Sequence, residues 1–74
     1  MSALTRTRTI HELFVQQPAR LLGTGEVWRY CRAHGVATCR KTVRDDLERL
    51  AVQGLLSRHG ADNGRRYLLV REGR

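Results

Sequence analysis

Aromatic residues and cysteines are scarce in this sequence, and long apolar runs are missing. With one Trp, two Tyr and one Phe in 74 residues, the chain lacks the stacking surface typical of proteins that bind single-stranded nucleic acid. Two cysteines are too few for the disulfide framework of a small secreted domain. No apolar run approaches the roughly 20 residues of a membrane span, and no signal-peptide core follows the N-terminus. We therefore expect a soluble, cytoplasmic protein.

Acidic residues are outnumbered two to one by basic residues. Fourteen Lys and Arg against seven Asp and Glu give a net charge of +7 and a pI near 11.0, which attracts polyanions such as nucleic acid or acidic lipid headgroups. Thirteen of the fourteen are arginines, whose planar fork matches phosphate oxygens and guanine edges, although a GC-rich genome would also favour arginine codons. Together with the few aromatics, this charge favours duplex DNA as the partner.

The chain has room for one small domain only. A domain of this length buries roughly 60% of its unfolded surface, which leaves little material for an enzyme cleft. The sequence shows no glycine-rich phosphate loop, no paired carboxylates in a plausible cleft and no Ser/His/Asp arrangement that stands out. We expect a protein that is not an enzyme and needs no cofactor.

The N-terminal third predicts an arm followed by a short helix. Residues 1–8 are polar and basic without periodicity, which indicates a flexible arm. Thr9 and Glu12 have the spacing of a capping box, so the first helix is predicted to begin there. Pro18 lacks an amide proton and clashes with a helical residue before it, so this helix should end near Gln17.

A minimal strand and a second helix are predicted next. The pair Leu21-Leu22, closed by glycine, is compatible with a strand that pairs with a later hairpin. Thr24 is the candidate cap of a helix over about residues 25–34, and Gly35 is the left-handed residue that ends it. Its apolar stripe comprises Val27, Tyr30, Cys31 and His34.

A third helix and a hairpin complete the pattern. The helix is predicted from Thr38, its candidate cap, to Gln53, with Gly54 ending it. An Asp-Asn-Gly turn signal then predicts a hairpin with strands over residues 55–59 and 65–70. The buried stripe of the helix comprises Cys39, Val43, Leu47 and Leu50. The predicted class is α+β, one domain over residues 9–70 with a short tail over 71–74.

Three segments of the second half carry a resemblance to a known family. They are Arg40-Lys-Thr-Val-Arg-Asp-Asp-Leu-Glu-Arg-Leu50, Gln53-Gly-Leu-Leu-Ser-Arg58 and Gly64-Arg-Arg-Tyr-Leu68. The sequence resembles bacterial winged helix-turn-helix regulators over about residues 9–70, with a recognition-helix start like that of catabolite-activator-type and DeoR-type proteins. The resemblance implies three helices with a C-terminal β-hairpin wing.

One spacing departs from that family. Gly35 precedes Val43 by eight residues, where the family usually has six, so the turn between the second and third helices is two residues longer. Val36 is still expected to reach the core from the longer turn.

The start of the third helix holds the candidate base-reading residues Arg40, Lys41 and Arg44. In helix-turn-helix docking this part of the recognition helix meets base edges, where Arg and Lys bond guanine. The alternative is a set of ordinary i, i+4 surface pairs: Lys41 with Asp45, Arg44 with Glu48, and Asp45 with Arg49. The candidate DNA-backbone contacts are Thr38, Arg6, Arg8, Arg58, Arg65 and Arg66, and the family resemblance adds Thr42. For the wing arginines the alternative is a hairpin edge kept charged against strand pairing.

The cysteines and Trp28 each admit two interpretations. Cys31, His34 and Cys39, with His59 or His11, could supply zinc ligands, but the spacing fits no known ribbon or finger. Both cysteines lie four residues from a valine of a core stripe, so we expect them to be small buried hydrophobes and no metal to be bound. Trp28 either packs against the first helix or anchors a protein partner.

These features predict a sequence-specific duplex-DNA-binding regulator, associated with the nucleoid. We expect a repressor because 74 residues leave no room for a sensor or an activation module. A homodimer on DNA is compatible with so small a reading surface. Two alternatives remain: a plasmid or phage accessory factor in excision, replication or partition, and a winged helix that serves protein interaction without DNA.

Overall fold

Three helices and a small antiparallel sheet form the part of the chain that the computed structural model describes, residues 3–36, 39–61 and 64–70. The sheet order is β1-β3-β2, so the short strand after the first helix pairs with the returning strand of the hairpin. This confirms the predicted α+β winged-helix class. The elements are α1 (Ala3–Gln16), β1 (Leu22–Gly23), α2 (Thr24–Ala33), α3 (Arg40–Val52), β2 (Leu56–His59) and β3 (Arg66–Leu69).

Each of these six elements contributes to one apolar core. Val36 is buried from the turn before α3, as predicted for the lengthened connection. Within the described residues, no helix combines the length and apolar character that a membrane span requires. The buried apolar side chains are Ile10, Leu13, Phe14, Leu22, Val27, Cys31, Val36, Val43, Leu47, Leu50, Leu56 and Tyr67.

Helix α1 begins six residues earlier than the sequence predicted. The prediction of a flexible arm is wrong for residues 3–8, which are helical; residues 1 and 2 lie outside the described part. Thr9 is not a cap, because its hydroxyl donates to the Thr5 carbonyl within the helix at 3.0 Å. A long-range contact holds these turns, since Arg6 pairs with the buried carboxylate of Asp46 on α3. Tertiary packing thus supplies the stability that local propensity lacks.

Two glycines end α2 and α3 in the same way. Gly35 and Gly54 have φ of 76° and 84°, a left-handed conformation that glycine adopts without steric cost. In each case the next residue donates its amide to a carbonyl five residues back, Val36 to Cys31 at 2.8 Å and Leu55 to Leu50 at 3.0 Å. This is the Schellman arrangement; after α2 it places Val36 in the core, whereas Leu55 after α3 is 39% exposed.

The predicted cap of α2 is displaced by one residue. Gly23 is the N-cap, and Thr24 is already helical. The Glu26 carboxylate accepts a hydrogen bond from the Gly23 amide at 3.0 Å, which satisfies an amide that the helix leaves without a partner. Glu26, in the first turn of α2, therefore joins β1 to α2.

Candidate nucleic-acid interface

An open cleft of about 1030 Å³ lies between the first turn of α2, the first turns of α3 and the wing, here defined as the β2–β3 hairpin, residues 56–69. Small-molecule sites are mostly apolar and enclosed, whereas this cleft is lined by charge. Among the described residues its acidic side chains are Glu26 and Glu48. Its cationic side chains are Arg29, Arg40, Lys41, Arg44, Arg65 and Arg66.

The cap of α3 is Cys39, and Thr38 lies outside the described residues. Cys39 is exposed, so the prediction that it is buried is wrong. As a cap it has an extended backbone, with φ −110° and ψ 166°, and its side chain therefore leaves the helical stripe. Its sulfur lies 3.2 Å from the Thr42 hydroxyl. That hydrogen bond, with those from nearby backbone amides, lowers the pKa of the Cys39 thiol.

Arg40, Lys41 and Arg44 are exposed on the first turns of α3 and all line the cleft. Of the three surface pairs considered as an alternative, the structure forms Lys41 with Asp45, at 3.2 Å. Such an exposed pair stabilises by less than about 1 kcal/mol and releases its lysine readily. The predicted base-reading residues are therefore brought together on one accessible surface.

The other two surface pairs are replaced by contacts to different partners. Glu48 does not pair with Arg44; it turns to the wing, where its carboxylate accepts from Arg58 Nε at 2.8 Å and from Arg65 Nη1 at 3.0 Å. Arg49 lies 3.7 Å from Asp46 and not against Asp45. Glu48 thus connects α3 to the wing, and Asp46 connects it to α1.

Glu48 also accepts a hydrogen bond from the buried hydroxyl of Tyr67 on β3. This bond, with those from the two arginines, lowers the pKa of Glu48 to about 2. Burial and the neighbouring carboxylate raise the pKa of Tyr67 to about 12. The wing is consequently fastened to α3 by one ionised carboxylate and three donors.

A second carboxylate joins the wing to α2. Arg66 Nη1 lies 3.4 Å from Glu26, whose other oxygen lies 3.2 Å from Arg20. The three wing arginines predicted to contact the DNA backbone, Arg58, Arg65 and Arg66, are thus held by acidic side chains of the helices. Each uses one nitrogen in these contacts, and a guanidinium has five N–H donors.

Asp46 is a buried, ion-paired carboxylate that the sequence analysis did not identify. It is 1% exposed on α3 and binds Arg6 of α1. The hydrogen bond to Asp46 raises the pKa of Arg6. The Arg6 guanidinium therefore points towards the protein interior, whereas the sequence analysis predicted it on a flexible arm that contacts DNA. One signal was available, because Asp46 lies three residues after Val43 and four before Leu50, on the buried stripe.

The remaining predicted contact residues lie outside the centre of the cleft. Arg8 is exposed on α1 and does not line the cleft. Thr42 is half-buried beside the cap of α3.

Trp28 of α2 packs at the edge of the core, with the guanidinium carbons of Arg32 and Arg40 each 4.9 Å from its ring centroid.

The fold and the cleft together define a winged-helix domain with a cationic face. Over its full length the chain aligns with 57% of a chain in a structure of the ferric uptake regulator from Francisella tularensis with iron, at a TM-score of 0.84 and 20% identity. At this identity the likeness shows a common fold. The chain spans little more than half of that regulator chain, and it matches no protein family and no curated protein.

That regulator structure contains iron. In this chain, the described residues contain no group of three or more His, Cys, Asp and Glu side chains placed to hold a metal ion. Cys31 is buried in the core, where desolvation raises the pKa of its thiol, while Cys39 is exposed at the cap of α3.

Proposed function

We propose that this chain binds double-stranded DNA sequence-specifically and regulates transcription as a repressor. The observation that carries the proposal is the cleft in which six cationic side chains converge from α2, α3 and the wing. The fold likeness to the ferric uptake regulator supports a regulatory role. No enzymatic step is part of the proposal.

The first turns of α3 are the proposed reading surface. Arg40, Lys41 and Arg44 are exposed there, and a helix fits the major groove, about 12 Å wide, where arginine and lysine bond guanine O6 and N7. Asp45 is exposed one residue beyond Arg44 and would face phosphate repulsion if the helix entered further. This limits the proposed base contacts to the start of the helix.

The wing is proposed to lie along the backbone or in the adjacent minor groove. Arg58 and Arg66 keep N–H donors beyond those bound to Glu48 and Glu26, so they can bond phosphate while their positions are fixed. Arg65 lines the cleft and adds its positive charge there. Thr42, in the first turn of α3, and Arg8, exposed on α1, remain proposed backbone contacts, and neither lines the cleft itself. Phosphate contacts supply most of the affinity, and the base contacts supply preference.

Binding titrations test the proposal by separating duplex affinity from sequence preference. A labelled duplex enriched from a random pool, its scrambled version and the corresponding single strand are titrated by fluorescence anisotropy at two salt concentrations. We expect the enriched duplex to bind tightest, and affinity to fall with salt at a slope of roughly −0.9 per phosphate contact. Equal affinity for the enriched and scrambled duplexes would reject sequence-specific binding.

The repressor role has a separate test. A reporter promoter is built with the enriched site overlapping its start and, as a control, with the scrambled site in the same place. We expect the protein to lower transcription only from the promoter with the enriched site. Increased transcription would assign an activator, and cooperative filling of adjacent sites with DNA bending would favour an accessory factor.

A further inference from the structure

The indole ring of Trp28 contacts the first residue of the proposed reading surface. The guanidinium carbon of Arg40 lies 4.9 Å from the ring centroid, within the range of a cation–π contact. Arg40 Nη2 also lies 3.9 Å from the place that a Cβ on Gly25 would take, one turn before Trp28 on the same helix. The guanidinium therefore packs against the face of α2 that carries Gly25 and Trp28, at the wall of the cleft.

This contact holds Arg40 without neutralising it. A guanidinium that stacks on a ring uses its face, and the N–H donors on its edge stay available for a base or a phosphate. Arg58 and Arg65 differ from Arg40, because each donates a hydrogen bond to the Glu48 carboxylate, which also offsets part of their positive charge. In the described part of the chain, no carboxylate forms an ion pair with Arg40.

The surroundings explain why a ring is suited to this position. Arg40 shares the cleft with five other cationic side chains and with the positive end of the α2 dipole, which repel it towards solvent. The electron-rich face of an indole attracts the cation, and so it restricts a side chain that would otherwise sample many rotamers. Ordering Arg40 in advance lowers the entropic cost of its contact with a base.

We infer that Trp28 positions Arg40 for reading DNA bases and thereby contributes to the sequence preference of this protein. The inference rests on the proposed function and extends it to a residue of α2 that does not itself line the cleft. Trp28 is a positioning residue, because it acts through Arg40. Loss of one exposed cation–π contact corresponds to a roughly two- to fivefold weaker interaction.

A double-mutant cycle tests the inference. The ratio of affinities for the enriched and scrambled duplexes is measured for wild type, Trp28→Leu, Arg40→Ala and the double variant. We expect Trp28→Leu to lower the ratio roughly two- to fivefold in wild type and to have no effect once Arg40 is alanine. Trp28→Phe keeps a smaller ring, so it should retain most of the ratio and provides a variant with less disturbance of folding.

Arg32→Ala is the matched control. It removes the other guanidinium that lies 4.9 Å from the same ring, and Arg32 does not line the cleft. We expect the affinity ratio to be unchanged by this variant. An equal loss for Trp28→Leu in both Arg40 backgrounds would mean that the indole acts through general packing, and the inference would be wrong.

A measurement without DNA separates this inference from the proposed function. The sole tryptophan should shift the side-chain proton resonances of Arg40 through its ring current, and Trp28→Leu should abolish that shift. If wild type prefers no sequence while the shift is present, the proposed function is wrong and the positioning role falls with it. If wild type prefers a sequence but the shift is absent, the inference alone is overturned.

Discussion

The two ends of α3 use charge in opposite ways. Its later turns carry Asp46 and Glu48, which are engaged with Arg6, Arg58 and Arg65 of other elements. Its first turns carry Arg40, Lys41 and Arg44, which are exposed towards the cleft. The later turns of α3 are thus held by ion pairs to other elements, whereas its first turns are exposed and available to a polyanion.

The largest expected effect is on the fastened half, at the junction of α1 with α3. Arg6→Met leaves the carboxylate of Asp46, which is 1% exposed, with Arg49 at 3.7 Å as its remaining cationic partner among the described residues. Breaking a fully buried pair costs about 3–5 kcal/mol, and because Arg6 is partly exposed we expect about 2–3 kcal/mol here. Urea unfolding followed by circular dichroism measures the change. Arg8→Met, exposed on the same helix, is the control, expected within about 0.5 kcal/mol of wild type; equal losses for both would break the comparison.

The next effect is at the junction of the wing with α3. Glu48→Ala removes the acceptor of the buried Tyr67 hydroxyl and of two arginines, so we expect a loss of about 1–3 kcal/mol in the free energy of unfolding. Asp45→Ala, which removes a carboxylate paired with the exposed Lys41, serves as the control from the same helix. A loss no greater than that of the control would show that Glu48 does not fasten the wing.

A smaller effect is expected from acid. The fold depresses the pKa of Glu48 to about 2 from an ordinary 4.5, so its ionised form stabilises the native state fully above pH 4.5. That contribution is lost as the pH falls from 4.5 towards 2. The free energy of unfolding should therefore decline more steeply over this interval in wild type than in Glu48→Gln, as urea titrations at several pH values will show. Parallel declines would contradict the assignment.

The smallest effect on stability is expected at the exposed half. Lys41→Ala removes one solvent-exposed pair with Asp45, so the free energy of unfolding should change by less than about 0.5 kcal/mol. In the same variant, discrimination between the enriched and scrambled duplexes should fall by about 1–3 kcal/mol if Lys41 contacts a base. A variant that loses stability but keeps its discrimination would reverse the proposed division of α3.

Local signals in the sequence were enough to predict the order of the elements. Gly35 and Gly54 end their helices where the sequence predicted, because glycine adopts the left-handed conformation of a helix C-terminus without steric cost. Pro18 likewise placed the end of α1, which stops at Gln16. These predictions held because the residues that decide them are close neighbours in sequence.

What the sequence could not predict depends on residues far apart in the chain. Arg6 and Asp46 are separated by 40 positions, and no spacing rule relates them; the helical start of α1 was missed for the same reason. Cys39 was placed in the core by extending the helical stripe of α3 back over a residue that is an extended cap. The wing arginines were identified by charge, but the pairing of Arg58 and Arg65 with Glu48 depends on the tertiary packing of the hairpin against α3.

The central claim is that the first turns of α3 read DNA sequence. It is tested most directly by selecting bound sequences from a random duplex pool with wild type, the Arg40→Ala/Lys41→Ala double variant and the Arg32→Ala control, at one fixed salt concentration. The account predicts one enriched motif with wild type and the control, and loss of information at one or more motif positions with the double variant. The same motif recovered in full by the double variant would contradict it.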